Sequence, residues 1–364
     1  MNIHFFPSKR IALYMAKTFV LRALAVLAAL VVILMTLDLL GESGKILAQE
    51  GNGEAELWRY VSLRVPQLIA RFLPFSVLLG TLITLATLNQ NSEIVSMKAA
   101  GISAHQIIAP LVLASLLIAA ASFVFNERVV TRATATLNAW TKVDYGPVPR
   151  DTGITPNVWI RFEDDLLRAD EVRGQGADTE LRGVVIHDRD WETLQRIVEA
   201  ERAVRHGAGW RLENVRVFDV EAARETTQPV LEYGRGLAPD QFALADVSAA
   251  EQDFWTLRES IAQLKAAGRP TAALESGLWH KFSGPLSSML MPLLAAVAAF
   301  GLARSGQLFI RAVIGMALGF AYFVADNFAL AMGNLGAYPP LLAAWAPFGL
   351  FLLIGEAVLI RTEE

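Results

Sequence analysis

The chain has 364 residues, 54% of them hydrophobic and only 19% charged, with a formal net charge of −4 and a mean hydropathy of +0.39. Residues 127–276 hold 45 of its 68 charges (19 of 32 Lys+Arg and 26 of 36 Asp+Glu), so a single soluble globule is excluded in favour of a membrane protein with a water-facing insertion. The lack of cysteine excludes disulfides, thiolate nucleophiles and Cys-based metal sites, the pI of about 5.8 does not suit a nucleic-acid binder, and the five histidines are scattered without an HExxH pair.

A spanning helix needs about 20 mostly apolar residues, because ~30 Å of hydrocarbon is crossed at 1.5 Å per residue. Residues 18–40 qualify. They follow Lys9, Arg10 and Lys17 and are too long for the apolar core of a cleavable signal, so they are expected to remain as an anchor. Residues 72–92 and 99–126 carry no formal charge and predict helices 2 and 3. Beyond the polar middle, residues 282–303 predict helix 4. Residues 312–325 continue past Asp326 as helix 5, and about 340–360 predict helix 6, with Pro340 suited to the first turn. The expected organisation is three helices within 1–126, a polar domain at 127–276, and three helices within 277–364. Lys9, Arg10, Lys17, Lys98, Arg304, Arg311 and Arg361 all fall on one side, which predicts cytoplasmic termini and an extracytoplasmic middle domain. Trp58, Tyr60, Trp279 and Tyr338 then lie at the outer interface.

The middle domain reads as mostly β. Val158, Ile160 and Phe162 alternate with Trp159 and Arg161, and Leu181–His187 contains a β-branched run. In Trp210–Val220, Leu212 is out of phase with Val215 and Val217. Many short strands without long helices suggest a sandwich or a jelly-roll-like domain. Trp159, Trp191 and Trp210 are expected as core anchors. Residues 253–267 read as a helix with Leu257, Ile261 and Leu264 on one face.

Two sets of residues stand out chemically. In residues 91–104, Ser92 is placed to cap a helix beginning at Glu93, whose carboxylate suits the positive helix end. Ile94, Met97 and Ala100 share a face, and Gly101 follows. The alternative is an interfacial helix that only packs on its own bundle. The second set is the charges at membrane depth, Asp38, Arg71, Lys281 and Asp326, because a charge in hydrocarbon costs about 2.5–3.5 kcal/mol even on a mild scale. With Lys45 and Arg64, Arg71 could offer cations to an anionic group at headgroup depth; equally, Arg71 and Asp326 could form a structural pair, or the long side chains could snorkel. Glu356 is expected to snorkel. Gly41–Ile46 has the look of a phosphate loop but lacks a glycine at 39 and a Ser/Thr after Lys45. No histidine or lysine matches Ser115 or Ser122 in depth, so an intramembrane enzyme is disfavoured.

Three stretches, Asn91–Gly101, Trp279–Ser287, and Asp326-Asn327 with Pro339-Pro340, resemble the YjgP/YjgQ (LptF/LptG) permeases, the membrane subunits of lipopolysaccharide export. Asp38-Leu39-Leu40-Gly41-Glu42 is more similar to the LptG branch. The resemblance implies an inner-membrane, six-helix, non-enzymatic permease with a periplasmic β domain that extracts lipopolysaccharide toward a periplasmic bridge. It implies that residues 91–104, with Ser92, Glu93, Met97 and Gly101, form the coupling helix. It implies as partners the paralogous LptF, two copies of the cytoplasmic ATPase LptB and the single-helix LptC. ATP and Mg would be bound by LptB, and no cofactor by this chain. Another lipid or lipoprotein exporter, or a non-catalytic membrane scaffold, is the alternative.

Overall fold

The computed structural model describes residues 8–147, 154–174, 178–190, 193–239, 242, 247–266, 269–299 and 308–361. They fall into two compact units. The first comprises Met1–Val148, Ala249–Arg258 and Ala272–Glu364; the second comprises Pro149–Ser248 and Glu259–Thr271.

The first unit is helical. Helices α1 (Lys9–Ala48), α2 (Glu54–Gln90), the short α3 (Glu93–Ala99) and α4 (Ala104–Phe125) come first. A π-helical turn (Asn126–Val130) carries α4 without a break into α5 (Thr131–Thr141). After the inserted unit come α6 (Phe254–Ala266, divided between the units), α7 (Ala272–Ala299), α8 (Leu308–Asn334) and α9 (Pro340–Arg361). Among the described residues five helices are long and apolar enough to cross a membrane: Lys9–Ala48, Glu54–Gln90, Ala104–Thr141, Ala312–Asn334 and Pro340–Ala357. The expected fourth crossing, 282–303, is helical as far as Ala299; its end lies outside the described residues.

The first two helices are longer than their apolar cores. In α1, Ser8 accepts from the Ile11 N–H at 3.4 Å to start the helix well before residue 18. In α2, Glu56 reaches back to the Gly53 N–H at 2.8 Å, and the helix tolerates Pro66 and Pro74 in its interior. Gly80 lets α1 and α2 meet closely: a Cβ there would lie 2.6 Å from the Cα of Ala23. One core cluster gathers Phe19, Leu78, Leu85, Ile107, Leu111, Leu290, Leu294 and Tyr322 from five helices. A second joins Val31, Met35, Tyr60, Leu137, Trp140 and Tyr145.

The boundary expected at 126/127 falls elsewhere. Residues 127–141 are polar in composition, yet Ala133, Leu137 and Trp140 are buried at helical spacing, so the chain continues as helix within the first unit.

The second unit is a six-stranded antiparallel sheet in simple sequence order: β1 Ile154–Phe162, β2 Asp165–Arg173, β3 Glu180–Asp190, β4 Thr193–His206, β5 Gly209–Asp219 and β6 Arg224–Tyr233. The expected all-β insertion is there, but its described strands lack the crossover that a Greek-key jelly roll needs. The sheet curls instead: Tyr233 at the end of β6 donates to Asp165 at the start of β2, four strands away. Curling lets one sheet enclose its own apolar face, which includes Ile160, Leu167, Val184, Ile186, Val198, Leu212 and Val215. Burial and the Asp165 bond push the Tyr233 hydroxyl's pKa up.

The phase slip between Leu212 and Val215 is part of a crease across the whole sheet. Asn157, Asp170, Gly183, Glu201, Asn214 and Pro229 are skipped at one level of the ladders, with the register kept on both sides. Gly183 and Asn214 take positive φ there, and Asn214 donates to Glu201 at 2.7 Å. Of the expected anchors, Trp210 is buried. Trp159 is half exposed and stacked on His187, so it covers the rim rather than the core. Trp191 lies outside the described residues. The helix expected at 253–267 is present, with Leu257, Ile261 and Leu264 buried.

Candidate functional site

The segment between α2 and α4 is a short helix clamped at both ends. Ile94 and Met97 are buried in the main core cluster, which is worth about 1.5–3 kcal/mol for each side chain. At its C-terminus the Gly101 N–H bonds to the Lys98 carbonyl at 2.9 Å and the Ile102 N–H to the Met97 carbonyl at 3.1 Å. This is a Schellman turn, and Gly101 sits in its left-handed position at φ +81°. A Cβ at Gly101 would meet nothing within 4 Å, so glycine is required there by conformation alone. Two residues later Ser103 opens α4 with a capping box: its hydroxyl accepts from the Gln106 N–H at 3.2 Å, and Gln106 accepts from the Ser103 N–H at 3.0 Å.

The N-terminal expectation is corrected. Ser92 adopts φ +58° and its hydroxyl makes no capping bond to α3; its carbonyl takes both the N–H and the hydroxyl of Ser96 instead. The tight reversal out of α2 places Ser92 in the left-handed region rather than in the extended conformation from which an N-cap side chain reaches the helix N–H groups. Ala100 is exposed at the C-cap rather than buried beside Met97, because α3 ends at Ala99. Glu93 is half-buried. Its Oε1 lies 3.5 Å from the Tyr14 hydroxyl of α1 and 3.3 Å from the Asn91 amide. Val95, Ser96, Lys98 and Ala99 form the exposed side of α3.

At the opposite end of α1 and α2 the polar residues neutralise one another. Asp38 receives Arg64 bidentately (Nε–Oδ2 2.9 Å, Nη2–Oδ1 3.0 Å) and the Tyr60 hydroxyl at 2.6 Å. Glu42 receives Lys45 at 2.9 Å and the Tyr145 hydroxyl at 2.8 Å. Burial and that bond to Glu42 raise the Tyr145 pKa. Gly41–Ile46 lies inside the continuous α1, so it is no phosphate loop.

The other membrane-depth charges are also placed. Lys281 meets Glu127 of the π turn at 2.8 Å, and the second Glu127 oxygen accepts the Phe254 N–H at 2.6 Å. Phe123, Phe254 and Phe282 pack together beside the pair. Asp326 faces His280 at 3.8 Å, not Arg71. Arg71 is exposed and has no polar partner among the described residues. Glu356 meets His105 at 3.6 Å rather than standing alone.

The family model for "Lipopolysaccharide export system permease LptF/LptG" matches residues 13–361. The LptG of Escherichia coli K12 is 26% identical over 310 residues, covering 83% of this chain and 84% of the relative. The LptG of Haemophilus influenzae Rd is 26% identical over 360 residues, covering 93% and 97%. The chain belongs to the LptF/LptG family. It is a multi-pass membrane protein of the permease type, most similar to LptG.

Two residues of this LptF/LptG chain escaped the sequence reading because 127–141 was assigned to the inserted domain. Arg128 and Arg132 are one turn apart on the continuous helix, exposed, and without an acidic partner among the described residues. The signal that could have found them is the helical spacing of Ala133, Leu137 and Trp140, which extends the third helix beneath both arginines. The missed Glu127 follows the same logic.

Proposed function

We propose that this chain is the LptG-type permease of a lipopolysaccharide exporter in the bacterial inner membrane, with cytoplasmic termini and the curled sheet in the periplasm. Its partners are LptF, which completes the cavity, two copies of LptB, which bind ATP and Mg, and LptC. The chain has no catalytic step of its own. It converts closure of the ATPase dimer into narrowing of a lipid cavity.

The observation that carries this reading is the construction of α3. Both of its ends are fixed by backbone bonding, and Ile94 and Met97 root it in the core shared by α2, α4 and α7. A push on its exposed side therefore moves the spanning helices rather than a loop. Glu93 presents a half-exposed carboxylate to a basic groove on the ATPase. Lys45 and Arg64 are internally neutralised, so the lipid phosphates fall to the cations without an acidic partner among the described residues, Arg71, Arg128 and Arg132. Asp38 and Lys281 then serve the fold.

The test is reconstitution with the partner subunits in vesicles. Glu93→Lys is expected to leave assembly of the permease pair and its thermal stability intact while separating ATP hydrolysis from lipid release. Wild-type release by that variant sinks the reading.

A further inference from the structure

Between α7 and α8 lies a polar ladder that the lipid path and the coupling helix do not use. On α8, Asp326 is 9% exposed and its Oδ1 has no hydrogen-bond partner; Tyr322, one turn earlier, is 2% exposed with its hydroxyl unpaired. Facing them on α7 are His280, whose Nε2 lies 3.8 Å from Asp326 Oδ2, and Ser283, whose hydroxyl lies 3.3 Å from His280 Nδ1. Gly284 leaves room for the ring: a Cβ there would lie 3.2 Å from His280 Nε2.

A carboxylate this deeply buried must be neutralised or paired. Among the described residues the neighbouring elements offer no other counter-charge. Lys281 is taken by Glu127. Helix α2 carries no ionisable side chain after Arg71, α4 none after His105, and α9 none before Glu356, which itself meets His105. On α8 the remaining charge is Arg311, four turns away from Asp326, and on α7 it is Glu275, itself an acid.

We propose that His280 and Asp326 form a binding site for a single proton, and that its uptake as an imidazolium–carboxylate pair draws α7 onto α8. Ser283 is a positioning residue: its contact with Nδ1 fixes the ring so that Nε2 faces the carboxylate. The site belongs to this chain alone and stands independently of which lipid is carried.

The experiment is thermal unfolding of the full chain in detergent across about pH 5 to 8, the range in which histidine changes charge. His280→Gln, Asp326→Asn and the double variant are compared with wild type. The imidazolium exists on the acid side, so the wild-type Tm advantage over each variant is largest there and disappears as pH rises. The double variant should lose no more than either single one. His206→Gln, which removes a different histidine–carboxylate contact at 3.4 Å, should leave the His280-dependent difference unchanged. A wild-type advantage independent of pH, or additive losses in the double variant, overturns the proposal. So does stabilisation by sodium over choline that Asp326→Asn abolishes, because the ligand is then a metal cation. If Asp326→Asn does not fold, the pH dependence of the His280→Gln difference decides alone.

Discussion

The helical unit and the sheet treat charge in opposite ways. Among the described helices two ion pairs are sheltered: Glu127 and Lys281 have side chains only 15% and 11% exposed, and Asp38 is held by three donor contacts, whereas Glu42–Lys45 and His105–Glu356 are more open. On the sheet the charges form more open ladders, in which Glu180 contacts Arg182 on its own strand and Arg202 on the next, and Glu199 contacts Arg216 across strands. The same chemical pair has different consequences in the two settings. In a sheltered pair, loss of one partner strands a charge where water cannot reach it; on the sheet, water replaces the partner at little cost.

The largest effect is expected at the sheltered pair. Glu127→Ala leaves Lys281 buried and uncompensated and removes the acceptor for the Phe254 N–H, so a loss of about 3–5 kcal/mol is expected in denaturation of the purified chain. Glu127→Ala combined with Lys281→Met should recover much of that loss; no recovery would mean that the Phe254 contact, rather than the charge, dominates. A middle-sized effect belongs to Gly101. Alanine there must adopt a left-handed backbone with no steric neighbour, which costs about 1–2 kcal/mol and loosens the turn after α3. Hydrogen exchange at Gly101 and Ile102 reads that loosening directly. The smallest effect is on the sheet. Arg182, then Arg202, hold the Glu180 carboxyl below its usual range. Its stabilisation is present above the unfolded-state pKa and fades as pH falls through the folded-state value. Glu180→Gln should therefore cost less than about 1 kcal/mol at neutral pH and nothing in acid, as measured by urea midpoints at the two pH values. A neutral-pH loss as large as that of Glu127→Ala would erase the contrast between the units.

Much of this architecture was legible because it follows from periodicity. Mostly apolar runs marked the five described helices that are long and apolar enough to span, and the slip between Leu212 and Val215 already registered the crease in β5. The failures were local or long-range. Ser92 looked like a cap by residue type, but the reversal between α2 and α3 fixes its backbone first. Residues 127–141 looked extramembrane by composition, although their buried residues keep a helical spacing. The short helix α3 was found from its pattern, whereas its clamp depends on Gly101 and Ser103 acting as successive stop and start signals.

By itself the sequence determined which stretches are apolar enough to span, that a charged insertion lies between them and where the short amphipathic helix begins. These properties are carried by neighbours a few residues apart, and the solvent preference of each side chain is intrinsic to it. Only the tertiary structure decided which charge meets which. Asp38 meets Arg64 across 26 positions, and Glu127 meets Lys281 across 154. Such pairings depend on how helices are brought together, and coulombic attraction acts on distance in space without regard to distance along the chain.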